Sequence, residues 1–241
     1  LERRPDMAEP DCVIVCTQHP DGRGVPHTSA VLHRKLGLPE SCACFDIALA
    51  CSGYVYSLSI ATSFMRSNGM TRGLLFTADP YSQDLSPDDK NTILLFGDAA
   101  TVTVLSDVGQ ADWGLVPERF KFNTRGELGH ALHNNNGHLY MDGRAVFNFA
   151  VKEVPNQIRA LLTDMDMSPS DVDLFLFHQG SKLIVTRLRE ALGLANGKAP
   201  LKLADFGNTI SSTIPLLLTD LVGRNGFHNV VMSGFGVGLS W

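Results

Sequence analysis

Short apolar runs alternate along this chain with stretches of helical period, and no other feature constrains its fold as strongly. "DCVIVCTQ" (11–18) reads as a buried strand, followed by a Gly/Pro-bearing loop and a helix through "HTSAVLHRKLGL". "CACFDIA" is a second strand, 52–68 a helix closed by Asn68-Gly69, and "TRGLLFTAD" a third strand. "NTILLFGDAATVTVLSD" reads as paired strands around Gly97-Asp98. Alternation of this kind predicts an α/β layered fold.

From 111 to 149 both periods fade, and Gly, Asn and His accumulate in "ELGHALHNNNGHLYMDGR". The pattern then restarts with a helix at 150–165, the strand "VDLFLFHQ" (172–179) and a helix at 181–192. The strand "LKLADFGN", a helix at 212–225 and the strand "NVVMSGFGVGLSW" complete it. The expected organisation is an N-terminal half (1–110), a connecting loop or insertion (111–149) and a C-terminal half (150–241). The halves look alike: "PDCVIVCTQ" and "VDLFLFHQ" are both strands that end in a polar pair ahead of a helix, as an internal duplication would give. The chain opens in what reads as a helix tail and stops on Trp241 in or just after a strand, which reads as a fragment.

With 241 residues, 44% of them hydrophobic, there is material for one large core or two smaller ones. A formal net charge of −5 argues against a nucleic-acid partner, which would require a basic face. No apolar run reaches the roughly 20 residues that span a bilayer, so no membrane partner is expected. The charged opening Leu1-Glu2-Arg3-Arg4 is unlike a signal peptide. Five cysteines cannot all pair, which fits a reduced cytoplasm. Cys12 and Cys16 have a spacing that metal pairs use, but further ligands are missing nearby and "VIV" between them reads as strand, so no metal is expected. Cys42 and Cys44 alternate on a strand as small apolar fillers.

Cys51 differs, because it stands where a strand turns into a helix. A thiol at a helix N-terminus faces unsatisfied N–H groups and the positive end of the dipole, which lower its pKa and favour the nucleophilic thiolate. Gly53 allows another group close approach, and Ala48 and Ala50 relieve crowding at the turn. In open α/β sheets chemistry gathers at the carboxyl ends of strands. Two more polar residues stand there: His178, delivered by "VDLFLF", and Asn208, after Phe206-Gly207. Taken singly, a buried cysteine, a satisfied histidine and a helix-capping asparagine would explain them as well. The glycine-spaced "GFGVG" (234–238) is a bend that trails a strand, and a backbone so opened can present N–H groups to an oxyanion.

"DIALACSGYVYSL", "FHQGSKLIVTRL", "FGNTISSTIPL" and "SGFGVGLSW" resemble the 3-oxoacyl-acyl-carrier-protein synthase III (KAS III) group of the thiolase-like condensing enzymes. "LLFGDAATVTVL" and "YMDGRAVFNFAV" look like two further hallmarks, and the likeness runs over nearly the whole chain. It implies a thiolase-like layered αβαβα fold of two duplicated halves, here lacking an N-terminal portion that the family normally carries. It further implies a decarboxylative Claisen condensation of an acyl-CoA primer with malonyl-acyl-carrier protein, through an S-acyl Cys51. By the same resemblance His178 and Asn208 hold the enolate, and the backbone N–H groups of Cys51 and Val237 form the oxyanion hole. Lys182, Arg187 and Arg189 would face the carrier protein or CoA. Val25 and Phe235 would bound the acyl pocket, Val25 by reaching across a homodimer. The family needs no cofactor.

The family's "HQAN" is His178-Gln179-Gly180-Ser181 here, and its "GDGAGA" is Gly97-Asp98-Ala99-Ala100-Thr101, which bears on pocket shape. Asn208, an amide, favours C–C bond formation over acyl transfer to O or N, where relatives tend to carry an acid. A silent partner subunit would usually have lost one of the three residues. A papain-like peptidase shares the Cys-His-Asn order but expects a different context than Ala50-Cys51-Ser52-Gly53.

Overall fold

The computed structural model describes residues 9–107, 109 and 113–241. The helix tail expected at the chain start lies outside the described residues. Four strands, β1 (Cys12–Cys16), β2 (Ala43–Ile47), β3 (Arg72–Ala78) and β4 (Ala100–Ser106), form one sheet in the order β2-β1-β3-β4. β1 pairs in parallel with β2 and β3, and β4 closes the sheet antiparallel to β3. All five β1 residues are buried, as expected of a central strand covered on both faces. A hairpin of β5 (Leu132–Asn135) and β6 (His138–Met141) lies in the stretch where periodicity fades. β7 (Leu174–Phe177) and β8 (Val230–Ser233) form a parallel pair.

The helices are α1 (Thr28–Leu36), α2 (Gly53–Ser67), α3 (Lys90–Ile93), α4 (Gly143–Thr163), α5 (Lys182–Leu192), α6 (Leu203–Phe206) and α7 (Thr213–Thr219). Strand alternation sorts them into layers. Val13 and Val15 of β1 pack toward Leu32 of α1, whereas Cys12 and Ile14 face Tyr54, Leu58 and Met65 of α2. Leu174 and Leu176 of β7 join that same core with Ile214 and Leu217 of α7. Phe175 and Phe177 point the other way, onto Phe149 and Ile158 of α4 and Val185 and Leu188 of α5. The result is helix, sheet, helix pair, sheet, helix pair: the αβαβα layering that the resemblance implied.

Several elements differ from the sequence expectation. Residues 91–95 form no strand: α3 turns there, with Thr92 Oγ1 donating to Asp89 Oδ2 at 2.9 Å, and Leu94 is left exposed. "LKLADFGN" is the single turn α6 rather than a strand. Gly207 (φ +68) ends it, and Asn208 runs against residues 95–97, its N–H donating to the Leu95 carbonyl at 2.9 Å. The helix expected at 150–165 starts at Gly143, where Asp142 caps the Arg144 and Ala145 amides. The one expected at 212–225 ends at Thr219. Among the described residues no helix is long and apolar enough to cross a membrane.

Candidate active site

Cys51 sits in the turn between β2 and α2, where the Gly53 N–H donates to the Ala50 carbonyl at 2.7 Å. Glycines clear the space around it. A Cβ at Gly53 would lie 2.5 Å from Cys16 Sγ, one at Gly234 2.7 Å from the Cys51 carbonyl oxygen, and one at Gly236 2.6 Å from Cys51 Cβ. Gly234 and Gly236 of "GFGVG" are therefore packing requirements of the cysteine turn. The backbone N–H groups of Val237 and of Cys51 itself face the sulfur.

His178 follows β7 directly, its N–H donating to the Ser233 carbonyl at 2.8 Å and its ring edge-on to Phe235 with centroids 5.4 Å apart. The imidazole Nδ1 lies 2.8 Å from Thr213 Oγ1. Asn208 is held by the Gly97-Asp98 turn: Gly97 N–H donates to the Asn208 carbonyl at 3.0 Å, and a Cβ at Gly97 would strike the Phe206 carbonyl. The Ile210 N–H donates to Asn208 Oδ1 at 3.0 Å, which leaves the amide –NH2 as the group Asn208 offers. Ile210 adopts φ +57, a left-handed conformation that costs a β-branched residue about 1–3 kcal/mol.

Cys51, His178 and Asn208 line one cavity of about 340 Å³, together with Phe235, Gly236 and Val237. Its remaining wall is mostly apolar (Phe96, Leu132, Met141, Val146, Ile184), a lining suited to an alkyl chain with a few convergent polar groups.

Two models of one family match the chain: that of 3-oxoacyl-[acyl-carrier-protein] synthase III over residues 45–124, and that of its C-terminal part over 162–241. A β-ketoacyl-[acyl-carrier-protein] synthase III of Lactococcus lactis is 34% identical, covering 96% of this chain and 75% of the relative. The chain belongs to the 3-oxoacyl-[acyl-carrier-protein] synthase III family. It thus spans about three quarters of the length of that relative. A β-ketoacyl-[acyl-carrier-protein] synthase III structure from Thermus thermophilus superposes with a TM-score of 0.89 at 28% identity, covering 100% of this chain and 78% of that one. A priming β-ketosynthase structure from a polyketide biosynthetic pathway does so with a TM-score of 0.83 at 28% identity, covering 98% and 74%.

Electrostatics in this synthase III chain depart from the sequence expectation at one point. The helix start was expected to lower the Cys51 pKa, but burial pushes the thiol up to about 12, and the negative Asp79 adds to the rise. The Val237 and Cys51 N–H groups oppose it without winning. Removing a small charged sulfur from water outweighs the field of one helix turn. Burial likewise holds His178 neutral, down to about 3. The resting pair is a neutral thiol and a neutral imidazole.

The other expected site residues divide between the cavity wall and the surface. Phe235 lines the cavity, 2% exposed. Val25 is 84% exposed and takes no part in this chain's own cavity wall. Arg187 is paired with Glu190 at 2.6 Å, and the Arg189 guanidinium is held by the Ala199 carbonyl; neither lines the cavity, nor does Lys182. Arg144, in the first turn of α4, does line it, as do Ser181 and Leu183 of the α5 start. Sequence reading passed over Arg144, although it stands inside the quoted "YMDGRAVFNFAV". It also missed Tyr81, which stacks on Phe96 with centroids 5.6 Å apart and lines the same space. Among the described residues no group of three or more His, Cys, Asp or Glu is placed to hold a metal ion.

Proposed function

We propose that this chain condenses an acyl-CoA primer with malonyl-acyl-carrier protein, losing CO₂, through an acyl group carried on Cys51. One observation carries the reading: a thiol, an imidazole and a carboxamide from three separate elements line a single apolar cavity. In the first half-reaction Cys51 Sγ forms a bond to the primer carbonyl carbon, the bond from that carbon to CoA sulfur breaks, and the thiol proton ends on the departing CoA. The N–H groups of Cys51 and Val237 that now face the sulfur are the donors for the intermediate's oxyanion.

In the second half-reaction the malonyl carboxylate leaves as CO₂, and its bonding electrons become an enolate. Its oxygen accepts hydrogen bonds from His178 and from Asn208 Nδ2. The carbanion then attacks the acyl carbonyl, a C–C bond forms, and the released Cys51 thiolate takes up a proton. Because the Ile210 N–H occupies Asn208 Oδ1, residue 208 faces the cavity as a donor, which supports condensation over transfer to an O or N nucleophile. The thioester acidifies the malonyl position, so this mechanism requires no cofactor.

Arg144 at the cavity wall is the cation best placed for an anionic carrier arm or CoA phosphate; Lys182, Arg187 and Arg189 are candidates for the surrounding surface. A homodimer fits the outermost position of β4, whose Val102 is 38% exposed, and the projecting Val25. A cytoplasmic setting fits five unpaired cysteines. Incubation with an acyl-CoA and malonyl-acyl-carrier protein tests the function: a β-ketoacyl-carrier product supports it, and an acyl ester or amide without CO₂ release rejects it.

A further inference from the structure

Thr213 opens α7 and does not line the cavity, yet its hydroxyl touches the residue that does. Oγ1 lies 2.8 Å from His178 Nδ1 and 3.0 Å from the Ile210 carbonyl oxygen, and both Thr213 and His178 are almost fully buried. One hydroxyl proton thus faces two acceptors. Donated to Ile210, it leaves a lone pair that takes Nδ1–H, and Nε2 is bare. Donated to Nδ1, it fixes the ring proton on Nε2. The ring is neutral, so its tautomer decides what it can offer a substrate.

We propose that Thr213 is a positioning residue that donates its hydroxyl proton to His178 Nδ1 and so keeps Nε2–H available in the cavity. The proposal rests on the condensing function above, in which an enolate oxygen requires a donor from His178. The 2.8 Å contact puts the hydroxyl within hydrogen-bond reach of Nδ1, and the donor that the condensing function requires at Nε2 is what sets its direction. No neighbouring backbone group substitutes: the Ile210 carbonyl only accepts, and the Ile210 N–H is committed to Asn208 Oδ1. With the hydroxyl removed, the Ile210 carbonyl is left as the polar partner, and it draws the proton to Nδ1.

The variants Thr213→Val, which removes the hydroxyl at nearly constant shape, and Thr213→Ser, which keeps it, separate this from a packing role. Three readouts serve: Cys51 acylation by octanoyl-CoA or acetyl-CoA followed by intact mass, CO₂ release from malonyl-acyl-carrier protein, and ring ¹⁵N NMR of His178. The expected result is acylation of T213V within about threefold of wild type, showing an intact site, with CO₂ release down about 100-fold at unchanged KM. T213S recovers wild-type behaviour, and the ring proton sits on Nε2 in wild type and on Nδ1 in T213V. The same tautomer in both proteins overturns the proposal, as do half-reactions that fall by the same factor or do not change. A wild-type protein that accepts no acyl group overturns the functional reading instead, and the NMR comparison still decides the role of Thr213.

Discussion

A Cβ atom at Gly236 would lie 2.8 Å from Cys51 Sγ, so the last glycine-rich turn of the chain is packed directly against the thiol. The contact joins residues far apart in sequence and explains why position 236 carries no side chain. Gly236→Ala is expected to displace the sulfur, to cost about 1–3 kcal/mol through overpacking, and to reduce Cys51 acylation far more than Asn208- or His178-dependent decarboxylation. Urea unfolding and acyl-enzyme mass check it; wild-type acylation would show that the turn yields freely.

Because burial raises the Cys51 thiol to about 12, little thiolate exists at neutral pH. Alkylation of Cys51 by iodoacetamide is therefore expected to speed up by about tenfold per pH unit from 6 to 9, with no plateau. A plateau below pH 8 would show that the helix start governs the thiol after all.

His178 carries a second pH signature. Its folded pKa, about 3, is below the ordinary value of 6.5, so the unfolded chain binds a proton that the native ring refuses. The stability this neutral ring contributes is complete above pH 6.5 and is lost as pH falls toward 3, at about 1.4 kcal/mol per unit. Urea unfolding of His178→Asn is expected to give a flatter stability profile between pH 6.5 and 4 than wild type. Parallel profiles would contradict the buried neutral imidazole.

Asn208→Asp replaces a donor by a carboxylate beside a developing enolate, and sets its negative charge on the Ile210 N–H side or the cavity side. Malonyl decarboxylation is expected to fall by at least about 100-fold, the scale of losing one such donor, while acylation of Cys51 persists. The two half-reactions, measured separately, check this.

The layers and the three polar residues were legible because each depends on local pattern. β1 and β7 are apolar runs, and Cys51, His178 and Asn208 follow a strand end or a glycine. What escaped depends on contacts between distant segments. "LKLADFGN" looks like a strand, yet Gly207 and Gly97 let it run against residues 95–97 as a turn. The sign of the Cys51 shift follows from complete burial, which a helix start does not reveal. Ile210 and Thr213 act through a left-handed backbone and a hydroxyl, and "NTISST" carries no signal for either. Arg187 and Arg189, expected to face the carrier protein or CoA, bond Glu190 and the Ala199 carbonyl, contacts that the spacing of charges on a helix does not reveal.

The claim on which the rest depends is that Cys51 carries the acyl group. Intact-protein mass spectrometry after incubation with a panel of acyl-CoAs, in wild type and Cys51→Ala, tests it most directly. A single acyl adduct is expected on wild type, mapped to the peptide holding Cys51, and none on C51A. An adduct of equal yield on both proteins, or no adduct with any acyl-CoA, would contradict it.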